Sequence, residues 1–356
     1  MQTEKRISKL REILKEKNLD AVLISQPQNR YYLSGFSGSA GYLLITQNNT
    51  VLATDFRYVE QVKEQSPLYT LFQITDGIDK WFPEITGGLN IKTLGFEPGD
   101  ITIEKFQNFS SAIQKSGIEL DMIPLPGAVE KIRAVKDAAE IVCIEQAVKI
   151  ADKAFEHLES IICPGMTELD VAWELEKALR EAGSETVPFE IIVGSGPNAA
   201  LPHAYPTERR IKAKEPIVID FGAKYKGYCS DCTRTLCLGG ADNTFNEIYK
   251  IVLEAQLHAI ANIAEGTTGA EADYFARSII DKAGHGAAFG HSLGHGIGLV
   301  AHEKPALHRT SADILTENMV FTIEPGIYIP GWGGVRIEDT VVLKNGKMNV
   351  ISGLSK

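Results

Sequence analysis

No apolar run in these 356 residues approaches the length of a membrane span, which takes about 20 consecutive apolar positions. The chain is also short of positive charge, with 36 Lys and Arg against 46 Asp and Glu and a net charge of -10. Contact with nucleic-acid phosphates needs a basic face, so no nucleic-acid or membrane partner is expected. Cysteine is scarce: five residues, an odd number that does not read as a disulfide framework and points to a reducing cytoplasm. The N-terminal "MQTEKRISKLREILKEKN" lacks the apolar stretch of a signal peptide. Its Ile7, Leu10, Ile13 and Leu14 recur at helical spacing instead, which predicts an amphipathic helix.

What remains is a globular protein of ordinary composition, 44% hydrophobic and 23% charged, long enough for two domains. Residues 1–122 alternate strand-like runs ("LDAVLIS", "GYLLIT", "TVLATD") with helical ones ("YVEQVKEQ"), an α/β pattern. "IPLPG" (123–127) breaks the pattern and predicts a linker. A second domain, 128–356, opens on the long helical run "DAAEIVCIEQAVKIADKAFEHLESI".

This second domain contains a weak internal repeat. At a shift of 101 residues, Ala154, Ile162, Gly165, Thr167, Ala182 and Gly183 fall on Ala255, Ile263, Gly266, Thr268, Ala283 and Gly284. Each half reads as helix, Gly-x-Thr turn, helix and Ala-Gly, followed by a histidine (His203 or His302) and a strand ending in an acid. Two similar halves packed together place a site at their interface.

The strands carry the chemistry. "IVIDFGAKYKGYCSDCTRT" reads as a hairpin. If Lys224 and Gly227 flank a two-residue turn, Asp220 faces Asp231 with Cβ atoms about 5 Å apart. "FTIEPGIYIPGWGGVRIEDT" repeats the arrangement, with Glu324 and Glu338 fourteen apart around Gly331. That even separation needs an odd loop or a bulge to bring both to one face. Four carboxylates gathered together cannot all ionise without cations. With one histidine added they suffice for two metal ions about 3.5–4 Å apart. Oxygen ligands with a single nitrogen favour Mn²⁺, with Co²⁺ or Zn²⁺ as alternatives, over a sulfur-rich structural zinc site. The stretch "FGHSLGHGIGLVAHE" (289–303) supplies three histidines, and its four glycines would let the backbone approach the metals closely.

"DFGA", "SDCTRT", "GHGIG", "EPGIY" and "VRIEDT", in this order, resemble the proline-specific metallopeptidases of the pita-bread fold, aminopeptidase P and prolidase. The resemblance covers essentially the whole chain and includes "NRYYLSGFSGSAG" and "GSGPNAALPHAYP". It implies an α+β protein, with a pita-bread catalytic domain behind a smaller creatinase-like α/β domain that restricts access to the site and contributes to a homodimer. It further implies metal ligands at Asp220, Asp231, His295, Glu324 and Glu338. Catalytic roles fall to His203, His302 and Glu324, with Glu324 as general base toward a metal-bridged hydroxide. His291, His302, Tyr328 and Arg336 would receive a substrate with proline at its second position.

Two departures stand out. Val300 replaces an acid common at this place in the family, and Cys232 makes a Cys229-x-x-Cys232 pair around a proposed ligand. Positions three apart on a strand face opposite sides, so two buried or half-buried thiols are expected there rather than a redox pair. "VGSGPNAA" mimics a dinucleotide fingerprint, but prolines follow where a helix should open. An aminopeptidase of other specificity and a non-catalytic binding module remain as alternatives.

Overall fold

The computed structural model describes residues 2–356, and the chain divides into two compact units, Met1–Arg133 and Ala134–Lys356. In the first, α1 (Gln2–Glu16) buries Ile7, Leu10 and Leu14 along one face, the predicted amphipathic stripe. The strands are β1 (Ala21–Ile24), β2 (Tyr42–Thr46), β3 (Thr50–Thr54), β4 (Thr70–Gln73), β5 (Thr93–Phe96) and β6 (Asp121–Pro124). They form one mixed sheet in the order β4-β3-β2-β1-β5-β6. The helices α2 (Pro27–Ser34), α3 (Val59–Gln65), α4 (Ile78–Gly88), α5 (Ile103–Ser116) and α6 (Ala128–Ala134) complete this unit. Phe82 and Phe109 are fully buried in its core.

The predicted linker at 123–127 is in part a strand. Ile123 and Pro124 pair in parallel with Gly95 and Phe96, and the division falls after Arg133, within α6. Proline is tolerated at Pro124 because β6 is an edge strand.

The second unit shows the repeat as structure. Its helices are α7 (Ala138–Ile161), α8 (Glu168–Glu181), α9 (Asn243–Asn262) and α10 (Gly269–Lys282). α8 and α10 are displaced by 101 residues at both ends. Each begins in a capping box, from Thr167 with Asp170 and from Thr268 with Glu271. The glycines before each pair, Gly165 and Gly266, have φ of 100° and 90° and are therefore the residues those turns require. Each half has its own apolar cluster, one around Phe155 and Phe221, the other around Phe289 and Phe321.

The strands of the first half are β7 (Ile192–Ser195), β8 (Pro216–Phe221), β9 (Lys224–Tyr225), β10 (Tyr228–Cys229) and β11 (Cys232–Cys237). Those of the second are β12 (Gly294–Gly296), β13 (Glu303–Leu307), β14 (Val320–Ile323), β15 (Gly326–Ile329), β16 (Gly333–Arg336), β17 (Asp339–Lys344) and β18 (Lys347–Val350). β8 lies between β7 and β11, and the second half forms the sheet β13-β12-β14-β17-β18 with the ribbon β15-β16. After β7 the chain enters a 3₁₀ turn at Gly196–Ala200, not the α-helix a dinucleotide site needs. No helix among the described residues is long and apolar enough to cross a membrane.

Candidate metal centre and active site

Both hairpins are interrupted, and the acids gather at the interruptions. In the second, Ile323 pairs with Asp339 and Gly326 with Arg336, so Glu324 stands across from Glu338 in a shared register. The loop between β15 and β16 has three residues, with Gly331 at φ 83°. This is the odd loop the spacing called for. Gln256 of α9 spans the interruption, its amide donating to the carbonyls of Ile323 (3.1 Å) and Ile337 (3.2 Å).

The first hairpin differs from expectation by two residues. Tyr225 pairs with Tyr228 across a turn at Lys226-Gly227, both with positive φ (48° and 81°). That is a type I′ turn, whose twist suits a two-residue hairpin. Asp220 therefore faces Thr233, not Asp231. Because strand side chains alternate with period two, the shift leaves Asp220 and Asp231 diagonal neighbours on one face.

His295 comes from β12, which pairs with β14 through Gly296 and Phe321. Asp231, His295 and Glu338 bring one ligand atom each within 4.8 Å of one another. His295 Nε2 lies 3.3 Å from Glu324 Oε1 and 3.6 Å from Asp231 Oδ2. Asp220 accepts from Arg336 Nη2 at 2.6 Å on one oxygen, while its buried Oδ1 has no hydrogen-bond partner. A buried carboxylate oxygen left bare costs free energy unless something binds it. Three of the five expected ligands thus converge, with Asp220 and Glu324 on the same cavity, and the bare oxygen and the hard oxygen and nitrogen donors suit divalent cations.

The electrostatics agree. Burial pushes the Asp231 and Glu338 carboxyls well above the usual carboxylate range, with the charges of Glu338 and Glu324, respectively, the next largest contributions. Glu324 moves the other way: burial opposes its ionisation, but the hydrogen bond and charge of His295 outweigh it and hold Glu324 at about 2.

The acids open on a cavity of about 410 Å³, which His203, His291, His302 and Arg336 also line. The His302 ring lies 3.9 Å from that of His295, and burial lowers its pKa from the ordinary 6.5. Tyr328 does not line the cavity. It is buried behind the wall, its hydroxyl 2.9 Å from His291 Nε2 and 2.8 Å from Arg336 Nη1. Arg336 is itself tied down, since it also donates to Thr233 Oγ1 (3.0 Å) and the Pro202 carbonyl (3.0 Å). Its first partner is Asp220 rather than open space.

Two of the four glycines of 289–303 serve the close approach of neighbouring strands. A Cβ on Gly294 would collide with the Thr322 carbonyl, and one on Gly296 with the Lys304 carbonyl. Cys229 and Cys232 are both buried, and neither forms a disulfide.

Sequence reasoning passed over two threonines. Thr233 Oγ1 donates to Glu338 Oε2 at 2.6 Å. Thr322 Oγ1 donates to Glu324 Oε1 and accepts from the His295 backbone N–H, each at 3.1 Å. The signal was present in "SDCTRT" and "FTIE", where a hydroxyl precedes or follows an acid by two strand positions on the same face.

Two related hairpins that pool their acids and a histidine around a cavity form the frame of a metal-dependent hydrolase. Residues 142–345 match the model of "Metallopeptidase family M24", and residues 6–135 match the "Creatinase/Prolidase N-terminal domain". The chain belongs to metallopeptidase family M24. It is 38% identical to an Xaa-Pro dipeptidase of Pyrococcus horikoshii, over 96% of this chain and 95% of that one. Among solved structures it is similar to an Xaa-Pro dipeptidase from Bacillus anthracis, with a TM-score of 0.96, 42% identity, and 99% and 98% of the two chains covered. It is also similar to an X-Pro aminopeptidase from Thermotoga maritima, with a TM-score of 0.87, 39% identity, and 95% and 96% covered. The fold is the expected α+β type, with a creatinase-like N-terminal domain before the pita-bread domain.

Proposed function

We propose that this protein hydrolyses the peptide bond between a first residue and a following proline. The observation that carries this reading is the convergence of Asp231, His295 and Glu338 within 4.8 Å, beside the bare oxygen of Asp220 and Glu324, in a chain similar to Xaa-Pro peptidases along nearly its full length.

Asp220, Asp231, His295, Glu324 and Glu338 would hold two divalent ions, with Mn²⁺ favoured by the donor set. Such ions, when bound, supply Lewis acidity toward the scissile carbonyl and acidify a water molecule. Glu324 is ionised at neutral pH, as a proton acceptor must be, and the Thr322 hydroxyl and His295 fix one of its oxygens. It takes the proton of the attacking water and returns it to the leaving proline nitrogen. His302 remains a neutral imidazole whose N–H stabilises the developing oxyanion, a contribution of about 3–4 kcal/mol for a well-placed donor. His203 lines the same cavity and positions the substrate. His291, held against Tyr328, forms the wall that receives the proline ring.

Hydrolysis of Ala-Pro beside Ala-Pro-Gly-Gly, each with Mn²⁺ and with EDTA, tests the reading. Chelator-sensitive cleavage of either peptide supports it, and which peptide is cut assigns dipeptidase or aminopeptidase action. Cleavage of Met-Ala-Ser with both proline peptides intact would transfer the site to another aminopeptidase specificity. Turnover of none would leave a binding module. A homodimer in the cytoplasm completes the proposal, and sedimentation of the full chain reads the assembly.

A further inference from the structure

The loop from Phe289 to Leu293 carries His291 to the cavity, and an ion pair that the reaction above does not use holds this loop from behind. Asp273 and Arg277 sit one turn apart on α10, their side chains 1% and 7% exposed. Arg277 Nε and Nη2 donate to the two oxygens of Asp273 at 2.6 and 2.8 Å. The other donors leave the helix: Nη1 reaches the Phe289 carbonyl and Nη2 the His291 carbonyl, each at 2.8 Å. Asp273 Oδ1 also accepts the Leu293 backbone N–H at 3.2 Å, a proton shared with the Leu307 carbonyl at 2.9 Å. The guanidinium lies 3.9 Å from the centre of the Phe289 ring, which meets the His291 ring edge-on at 5.1 Å.

Stability alone gives little reason for this arrangement. Burying two charges costs about as much as their attraction returns, and apolar side chains of similar size would fill the space as well. A planar fork gripping two carbonyls two residues apart does something apolar packing cannot, because it fixes the backbone between them. On the cavity side of that backbone, His291 meets Tyr328, Tyr328 meets Arg336, and Arg336 holds Asp220.

We propose that Asp273 and Arg277 are positioning residues for substrate binding, setting the place of His291 against the proline ring. The inference rests on the Xaa-Pro reading for its substrate and on the geometry of the loop for its mechanism.

Arg277→Lys keeps the charge but cannot hold Asp273 and both carbonyls at once. The expected variant folds, binds as much Mn²⁺ per chain as the parent, and shows a KM for Ala-Pro raised about tenfold with kcat much less changed. In a His291→Ala background the same substitution should raise KM no further, because residues acting through one another do not add. An unchanged KM, or an equal rise in both backgrounds, overturns the proposal. Asp273→Asn, nearly isosteric, serves should the lysine variant not fold, with the same expectations. The NMR signals of the His291 imidazole read the clamp without turnover: displaced signals in the variants support it and unmoved signals overturn it. Were the parent to cut no Xaa-Pro bond, the substrate reading would fall and the His291 imidazole signals would decide the clamp by themselves.

Discussion

The Thr233 hydroxyl donates to Glu338 Oε2 across 2.6 Å, from one hairpin of the repeat to the other. The Thr233 Oγ1 in turn accepts from Arg336 Nε, so one small side chain orients a proposed ligand and satisfies a buried guanidinium. The reciprocal bond exists too, since the Thr340 hydroxyl donates to the Asp231 carbonyl at 2.8 Å.

Thr233→Val, of equal size, should therefore weaken metal binding by about 10–100-fold, the usual cost of removing a partner that orients a ligand. Mn²⁺ titration of the chelated protein measures it. Undiminished affinity would show that Glu338 needs no such support.

Metal binding should release protons. Asp231 is pushed up by burial and then by Glu338, and Glu338 by burial and then by Glu324, so the metal-free site retains protons that cations must displace. Affinity for Mn²⁺ is expected to rise with pH. Calorimetric titrations in buffers of different ionisation enthalpy count the protons released, and an affinity that does not change with pH would contradict the assignment.

The same shifts set the stability of the metal-free protein. A carboxyl whose folded pKa lies above its unfolded value contributes stability at low pH and loses it as pH rises through the raised value. The chelated protein should thus melt lower at pH 8 than at pH 6. Asp231→Asn removes one buried charge and should raise the pH 8 midpoint by about 2–4 °C for each kcal/mol recovered, while abolishing metal uptake.

His291 has the opposite sign. Burial lowers its pKa, and the Arg336 guanidinium adds to the effect against the attraction of Glu324. A histidine with a depressed folded pKa contributes stability that is present above its usual 6.5 and lost as pH falls through the lowered value. Its contribution should therefore be lost between pH 7.5 and pH 5.5, against the trend of the carboxyls, so His291→Gln should raise the melting temperature at pH 5.5 relative to that at pH 7.5, compared with the parent. An identical slope in the variant would place the titrating group elsewhere.

Cys229 and Cys232 should resist thiol reagents in the folded protein. Both are buried, and burial pushes the Cys232 thiol well above its ordinary value, against the thiolate that reacts. Labelling followed by mass spectrometry, with the exposed Cys163 as internal reference, reads the difference.

Much of this was legible in the sequence because it has a period. The repeat, the first-helix stripe and the Glu324–Glu338 spacing are counts along the chain, and counts survive folding. The Asp220–Asp231 pairing was misread because lysine carries no strong preference for the left-handed conformation that Lys226 adopts, so nothing marked the turn one residue further on, which moves each partner by two. Asp273 and Arg277 left no trace, since an acid and an arginine four apart on a helix normally make a solvated surface pair. Only the packing of α10 under the 289–293 loop turns that pair inward. Tyr328 and Arg336 were expected to face the substrate, but their mutual hydrogen bond, and the tie from Arg336 to Asp220, belong to tertiary structure.

The three-residue loop Pro330–Trp332 acts as a ruler. Add or remove one residue there and both strands can still pair, yet either Glu324 or Glu338 turns its carboxylate to the opposite side of the ribbon. What resembles an ordinary surface connection should therefore tolerate new side chains better than insertion or deletion. Two residues fourteen apart in the chain are kept in working alignment by a count, and a frame-preserving single-codon insertion at this hairpin tip should disarm the site without unfolding the protein.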